Sequence, residues 1–552
     1  MSPNTIPKTQ HAVQLTGPSE LTFTDSKEVF QPGPGQILGK TEAIGLCFSD
    51  IKLFKQFDKH VRKNEVKTLL TSKELDTMPN YVPNDKPTVP GHEVCLRVVA
   101  VGEGVTSVTV GHRYLVQTDY RWLLTPESNS AFGYNFEGGL QEYVLMDERV
   151  ITSPDGESLL IPASDELSAS AVALAEPWAC VEFSYSSVER QNLCNDGRML
   201  LVVQNDIDLT LFNNFINKYG KPASITVIGE SEVNISGVEM VVAKNIGNLP
   251  PKGFDDIVYF GSDAETLESL FDKLDKDAFI NIVQCGGQFS RPVEALVGRV
   301  HYGNVRIIGT PGNDPADAMT IVPANCEIRE NDKISVIGAA GPMGTMHVIR
   351  DICEGVKGIS LYPSSRSDDR VDYIEKTCAK FAKENNIPFQ AYNSKTTKPD
   401  VLMDYIVIMA PVPQLVTQAV QDCAVNGAIN IFAGIPAEVA ATVDMNKYIA
   451  MRQYFIGTSG STMDDMKCVL KKVESGQLDT NISVMAVTGL KEVNKGIQAV
   501  EDNVYCGKII VYPTCKDLPL TTLEDLEPIK PGVIDKLDDG VWNKAAELKL
   551  IS

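Results

Sequence analysis

Four side chains before residue 180 could together hold a zinc ion: Cys47 in GLCFSD, His92 and Glu93 in VPGHEV, and Glu176 in ALAEPWA. A thiolate, an imidazole and a carboxylate are suitable ligands, and three protein ligands leave a fourth position open for substrate. Taken singly, each has a plainer role: Cys47 as a packed thiol, His92 as a satisfied turn residue, Glu176 as a charge on a helix surface. A second kind of chemistry is written much later, in ISVIGAAGPMGTMHV. There Gly338, Gly341 and Gly344, spaced by Ala340, Pro342 and Met343, let the backbone approach a pyrophosphate at a helix N-terminus. A plain tight turn is the alternative. At the end of the next strand, GISLYPSSRSDDR puts Ser365 and Arg366 where a dinucleotide site reads the ribose. A small residue and an arginine suit the 2′-phosphate of NADP, with Arg370 as a second contact, whereas Asp368 or Asp369 on the ribose would favour NAD.

These residues need elements to position them. Up to about residue 160, short β-like runs (TEAIGL, EVCLRVVAVGEG, HRYLVQ, LQEYVLM) are punctuated by Pro and Gly, as in a small barrel-like β domain. Residues 164–188 are helical in pattern, with Ser164 or Asp165 as cap. The runs LLVV, ITVIG, IVYFG, INIVQ and VRIIGT then alternate with helix-like stretches, the pattern of a parallel sheet built from βαβ units.

That pattern occurs twice. FDDIVYFG at 254–261 answers MDYIVIMA at 403–410, and INIVQ at 280 answers INIFA at 429, both at a spacing of 149 residues. IIGTPGNDPADAM at 307–319 answers FIGTSGSTMDDM at 455–466 at a slightly shorter offset. Two copies of one nucleotide-binding-type domain explain the order and spacing together. The first copy opens with LLVVQNDIDLTLF, which has no glycine and whose Asp206 and Asp208 would repel a pyrophosphate.

The chain has 552 residues, 43% of them hydrophobic, enough for several cores. A formal charge of −22 argues against nucleic-acid or anionic-membrane partners and leaves room for a local basic pocket for a phosphorylated metabolite. The opening MSPNTIPKTQ lacks the regions of a secretory signal, and no apolar run is long enough for a membrane span, so a cytoplasmic protein is expected. The twelve cysteines, with no Cys-x-x-Cys pair, read as reduced thiols.

The segments GLCFSD, VPGHEVCLRVVAVGEGVTSVTVGHRY, GGLQEYV, ALAEPWA, GAAGPMG and SVMAVTGLKEVNKGIQAVEDNVYCGKIIVYP together resemble the zinc-dependent medium-chain dehydrogenase/reductase superfamily. The glutamate of EP is similar to the polyol (sorbitol-type) branch, and the whole to the L-sorbose-1-phosphate reductase group within it. The resemblance implies an α/β chain: a GroES-like β-barrel catalytic domain plus two tandem Rossmann-like doubly wound parallel-sheet domains. Residues 1–188 would begin the catalytic domain. Residues 189–320 would be a degenerate Rossmann-like copy, 321–470 the NADP-binding copy, and 471–552 the return to the catalytic domain with a C-terminal tail.

The resemblance further implies one catalytic zinc on Cys47, His92 and Glu176, and reversible hydride transfer between NADP(H) and a polyol or ketose, sugar phosphates such as L-sorbose 1-phosphate included. Ser49 would pass a proton toward solvent by way of Lys52 or the cofactor ribose, and Glu93 would exchange onto the metal or orient a ligand. Ala410 and Pro411 would follow the strand that ends under the nicotinamide. Departures from the pattern are plain. Residues 113–145 lack the four cysteines of the family's structural zinc, and Lys52 stands where many members have histidine. The stretch FDKHVRKNEVKTLLTSKELDTMPNYVPNDKPT is long, an added flap or surface helix whose basic residues would face a substrate phosphate or simply solvent. A small-molecule substrate is the expected partner and a homo-oligomer stays open. Two other functions remain: a zinc-free quinone-reductase-like enzyme, and a non-catalytic NADP-binding sensor or scaffold.

Overall fold

The structure is a computed structural model that describes residues 6–205, 207–229 and 233–552. The chain forms two units, one of Met1–Cys180 with Gly460–Ser552, the other Val181–Ser459. The boundaries fall somewhat before the sequence-based ones at 188 and 470.

In the first unit the strand Gln36–Gly45 is the hub of an eight-stranded sheet. It pairs antiparallel with Glu93–Val101, Tyr143–Asp147 and Lys508–Val511. Apolar residues of these strands, among them Ile37, Ile44, Val94, Leu96, Val144 and Val511, bury in one core. Removing this apolar surface from water contributes most to holding the sheet together. Lys508–Val511 returns to that core from the far end of the chain, and the tail follows it: Trp542 is fully buried and donates to the Tyr512 hydroxyl at 2.9 Å.

The helix Ala169–Ser186 begins later than its pattern suggested, and neither Ser164 nor Asp165 caps it. The Ser168 hydroxyl accepts from Ala171, and the Glu547 carboxylate, from the C-terminal helix Lys544–Ile551, accepts from the amides of Ala169 and Ser170. Ser164 instead accepts from Glu166, and Asp165 pairs with Arg97. A carboxylate from a distant segment satisfies the first-turn amides better than the local residues can.

The second unit holds two six-stranded parallel sheets. Numbered along the chain, each has the strand order 3-2-1-4-5-6 of a doubly wound dinucleotide-binding fold. The first contains Arg198–Val203, Ser224–Ile228, Glu239–Val242, Phe254–Phe260, Leu274–Val283 and Arg306–Thr310. The second contains Lys333–Ile337, Ser360–Ser365, Tyr392–Asn393, Met403–Ile408, Cys423–Ile431 and Tyr454–Ile456. The repeated sequence segments thus fall on equivalent fourth, fifth and sixth strands. Glu239–Val242 is a strand the pattern did not signal, because it is a largely exposed edge without the continuous apolar run of its neighbours. Among the described residues, no helix is long and apolar enough to cross a membrane.

Candidate functional site

Strand register solves the separation between Cys47 and His92. Gly45 at the end of one strand pairs with Glu93 at the start of its neighbour, which brings Cys47, just beyond the one, close to His92, just before the other. Cys47 is the N-cap residue of the helix Phe48–Gln56. Ligand atoms of Cys47, His92 and Glu93 all lie within 4.8 Å of one another, and this is the one such metal-competent cluster among the described residues. Glycine at position 45 leaves room for the Glu93 carboxylate, which a Cβ there would crowd.

Two neighbours that the sequence reading missed tune the cluster. Asp50 accepts the Cys47 amide at 3.0 Å and lies 3.0 Å from His92 Nδ1, leaving Nε2 as the ring's remaining donor atom. Burial pulls the His92 pKa down, but the charge and hydrogen bond of Asp50, with Cys47, hold it well above the usual imidazole value. Lys508, fully enclosed, donates to Glu93 Oε1 at 2.5 Å. Glu93 Oε2 is buried with no hydrogen-bond partner among the described residues, an arrangement that suits a cation. Asp50 had a signal, a carboxylate one helical turn after Cys47. Lys508 had none, because only the closing sheet brings it near.

Glu176 is buried on its helix but does not join the mutual cluster. Burial pushes its pKa up to about 7, offset in part by His92 and reinforced by Glu93, so it lies within electrostatic reach of both. Ser49 Oγ is 3.8 Å from Cys47 Sγ. Lys52 is exposed on the same helix, and its charge reaches His60. Burial, then Arg62, then Lys52 lower the His60 pKa to about 4, so it stays neutral. Its ring lies 5.0 Å from that of Tyr134, which is 6.2 Å from His92. Arg62 stacks over Tyr134 at 5.6 Å and is paired with Asp119. The long stretch after the cysteine thus folds back as short helical turns, Phe57–Lys59, Val61–Lys63 and Ser72–Leu75. Of its basic residues, Lys63 faces neither solvent nor a ligand. It is fully buried, donating to the carbonyls of Val82 and Lys86.

In the second unit, the strand Lys333–Ile337 runs through the glycine turn into the helix Pro342–Cys353. Gly338 has φ +86°, which a larger residue adopts only with strain. A Cβ on Gly344 would meet the Gly338 carbonyl oxygen at 2.6 Å, so helix and strand pack tightly. The site that a Cβ on Gly341 would take is open, with its nearest contact at 3.9 Å, and no side chain caps this helix among the described residues. Ala340 is buried within the turn, with Pro342 and Met343 half-buried beyond it. Ser365 is buried at its strand end, Arg366 is exposed and Arg370 half-buried. Asp368 accepts from Asn393 at 2.7 Å and is held by it. Ala410 and Pro411 follow the strand Met403–Ile408, and the Ala410 amide lies 3.9 Å from a Cβ built on Gly338, beside the turn.

The equivalent place in the first copy is filled by protein. Asp208 caps the helix Leu209–Tyr219 with its own carboxylate, accepting from Thr210 at 2.8 Å and Leu211 at 3.2 Å. Tyr259, near its strand end, bonds Gln204 and accepts the Asp263 amide. Asp206 lies outside the described residues.

Residues 33–155 match the alcohol dehydrogenase GroES-like domain family. The chain is 26% identical over 246 residues to the uncharacterised protein YggP of Escherichia coli K12, covering 41% of this chain and 57% of that one. It is 25% identical over 240 residues to L-sorbose 1-phosphate reductase of Klebsiella pneumoniae, covering 41% and 56%. The match thus spans little more than half the length of these relatives. The solved structure of 2R,3R-butanediol dehydrogenase from Bacillus subtilis aligns at a TM-score of 0.52 and 15% identity, over 91% of this chain and 99% of that one, which shows a shared fold. Residues 33–155 are thus a GroES-like domain of the alcohol dehydrogenase type, and the chain is also similar, at 24% identity over 320 residues, to the uncharacterised zinc-type alcohol dehydrogenase-like protein YphC of Escherichia coli K12, covering 55% of this chain and 78% of that one.

Proposed function

We propose that this protein is a zinc-dependent oxidoreductase that transfers a hydride between NADP(H) and a polyol or ketose, with sugar phosphates such as L-sorbose 1-phosphate as the leading substrate class. The observation that carries the reading is the convergence of Cys47, His92 and Glu93, with Asp50 fixing the imidazole. A donor set of thiol, imidazole and carboxylate with an unpartnered buried oxygen fits zinc. Cys47, His92 and Glu176 would hold the ion, with Glu93 as an alternate ligand. Bound there, zinc would supply Lewis-acid polarisation of the substrate oxygen.

The chain's own groups do the rest. Ser49, whose Oγ lies 3.8 Å from Cys47 Sγ, would take or give the proton of the reacting hydroxyl, and Lys52, one helical turn on, would carry it toward solvent. Arg62, over the Tyr134 ring beside His92 and shared with Asp119, and Lys52 on the helix after Cys47 are the basic groups near the cluster that a substrate phosphate would use. The Gly338–Gly344 turn would hold the pyrophosphate of the nucleotide, and Arg366 the 2′-phosphate. The test is a screen of polyols, ketoses and their phosphates for cofactor-linked absorbance change with NAD and NADP. Turnover of a ketose phosphate with NADPH, lost on chelation, is expected. No turnover with any of them by the zinc-loaded protein, or full activity after chelation, would sink the reading.

A further inference from the structure

We propose that residues 189–320 are the built-in second subunit of a two-fold pair, so that the chain closes its own pairing edge and is a monomer in solution. The short strand Val293–Ala295 of the first copy pairs antiparallel with Ala441–Val443 of the second. The partners are Val293 with Val443, Glu294 with Thr442 and Ala295 with Ala441. In the repeat alignment that sets Ile307 on Phe455, Val293 corresponds to Ala441, Glu294 to Thr442 and Ala295 to Val443. Val293 therefore faces the equivalent of Ala295, Ala295 faces the equivalent of Val293, and a two-fold axis passes between Glu294 and Thr442.

The same axis appears in a second set of contacts. A Cβ on Gly309 would meet the Ile449 side chain at 2.8 Å, and one on Gly457 would meet the His301 backbone at 2.9 Å. Gly309 and Gly457 are equivalent positions, as are His301 and Ile449. Contacts that exchange in this way define an isologous interface, the kind two identical subunits make. Here both sides are one chain, and a single buried core that includes Val293, Val300, Ile435, Val443 and Tyr448 runs through the contact.

The two sides have also diverged to fit each other rather than themselves. Thr442 Oγ1 donates to Glu294 at 2.7 Å. Pairing of two first copies would set Glu294 against Glu294, like charges directly opposed. Arg306, buried, forks onto Glu189 at 2.5 and 2.8 Å, and the same carboxylate accepts from the hydroxyl of Tyr454, the equivalent of Arg306, at 2.6 Å. Two first copies would bring Arg306 toward Arg306. Between chains this edge is therefore already used, and the first copy's half of it is poorly self-complementary.

The test uses the full chain. A Glu294→Cys/Thr442→Cys variant is treated with a short bifunctional maleimide, beside the two single variants as controls for the native thiols. Denaturing electrophoresis and peptide mapping should show the 294–442 link within one chain. A covalent two-chain product carrying that link would overturn the proposal. Sedimentation equilibrium of the unaltered protein, which does not depend on the variant folding, should give the mass of one chain. A two-chain particle would overturn it equally.

Discussion

Asp50 holds His92 and Cys47 at once, one carboxylate oxygen 3.0 Å from the imidazole Nδ1 and the other accepting the Cys47 amide at 3.0 Å. A single side chain thereby sets both the ring's orientation and the start of the helix that carries the thiol. Asp50→Asn keeps the shape and loses the charge. It should lower zinc affinity and kcat/KM by about 10- to 100-fold, the usual cost of losing such a partner. Unchanged metal content and rate would show that the ring is oriented by something else.

Metal analysis should find one zinc per chain, lost in Cys47→Ala and in His92→Ala, because a site with three protein ligands cannot spare one. Between the carboxylates, Glu176→Gln should lose more zinc than Glu93→Gln, since Lys508 already neutralises Glu93. The reverse order would make Glu93 the resident ligand.

Arg366→Ala should weaken NADP binding by about 1.5 to 3 kcal/mol and leave NAD nearly unaffected, as only NADP carries the extra phosphate. Titration of both nucleotides into both proteins checks this. An equal loss for the two would mean that Arg366 does not read the 2′-phosphate.

Calorimetry should count one NADP per chain despite two doubly wound sheets, because Asp208 already occupies the helix end that a phosphate would use in the first copy. Asp208→Ala should cost about 1 kcal/mol of stability through loss of the cap and leave the stoichiometry at one. Two sites of equal affinity would contradict this.

Stability should rise with pH above neutrality, in part through Lys63. Burial lowers its pKa from 10.5 to about 7, outweighing Asp85 and Glu137. Between those values the unfolded chain holds the proton that the folded chain has released, so stability increases across that window; below about pH 7 the full cost of burying the ammonium is present. Denaturation midpoints at pH 7 and pH 9 should differ less in Lys63→Met than in the unaltered protein. An identical difference would show that Lys63 does not titrate in this window.

Much of this architecture was legible one segment at a time. The apolar runs of the two sheets, the spacing of Gly338, Gly341 and Gly344, and the echo of FDDIVYFG in MDYIVIMA all depend on local periodicity and turn geometry, which neighbouring residues set. The glycine-free opening of the first copy likewise showed in the letters, and the structure adds how it is filled, by Asp208 and Tyr259.

The rest depended on which distant segments meet. Cys47, His92 and Glu176 could be picked out by type, but Lys508 entered the site only because Lys508–Val511 pairs with the strand leading to Cys47. Glu547 replaced the expected cap of the helix bearing Glu176, and Lys63, which looked like a surface charge, was buried against two carbonyls. Neither event leaves a mark on nearby residues. The two-fold pairing of Val293–Ala295 with Ala441–Val443 is of the same kind. A repeat declares that two folds exist, while which edges they share is decided by side-chain complementarity and burial across the contact, quantities that exist only once the chain has closed.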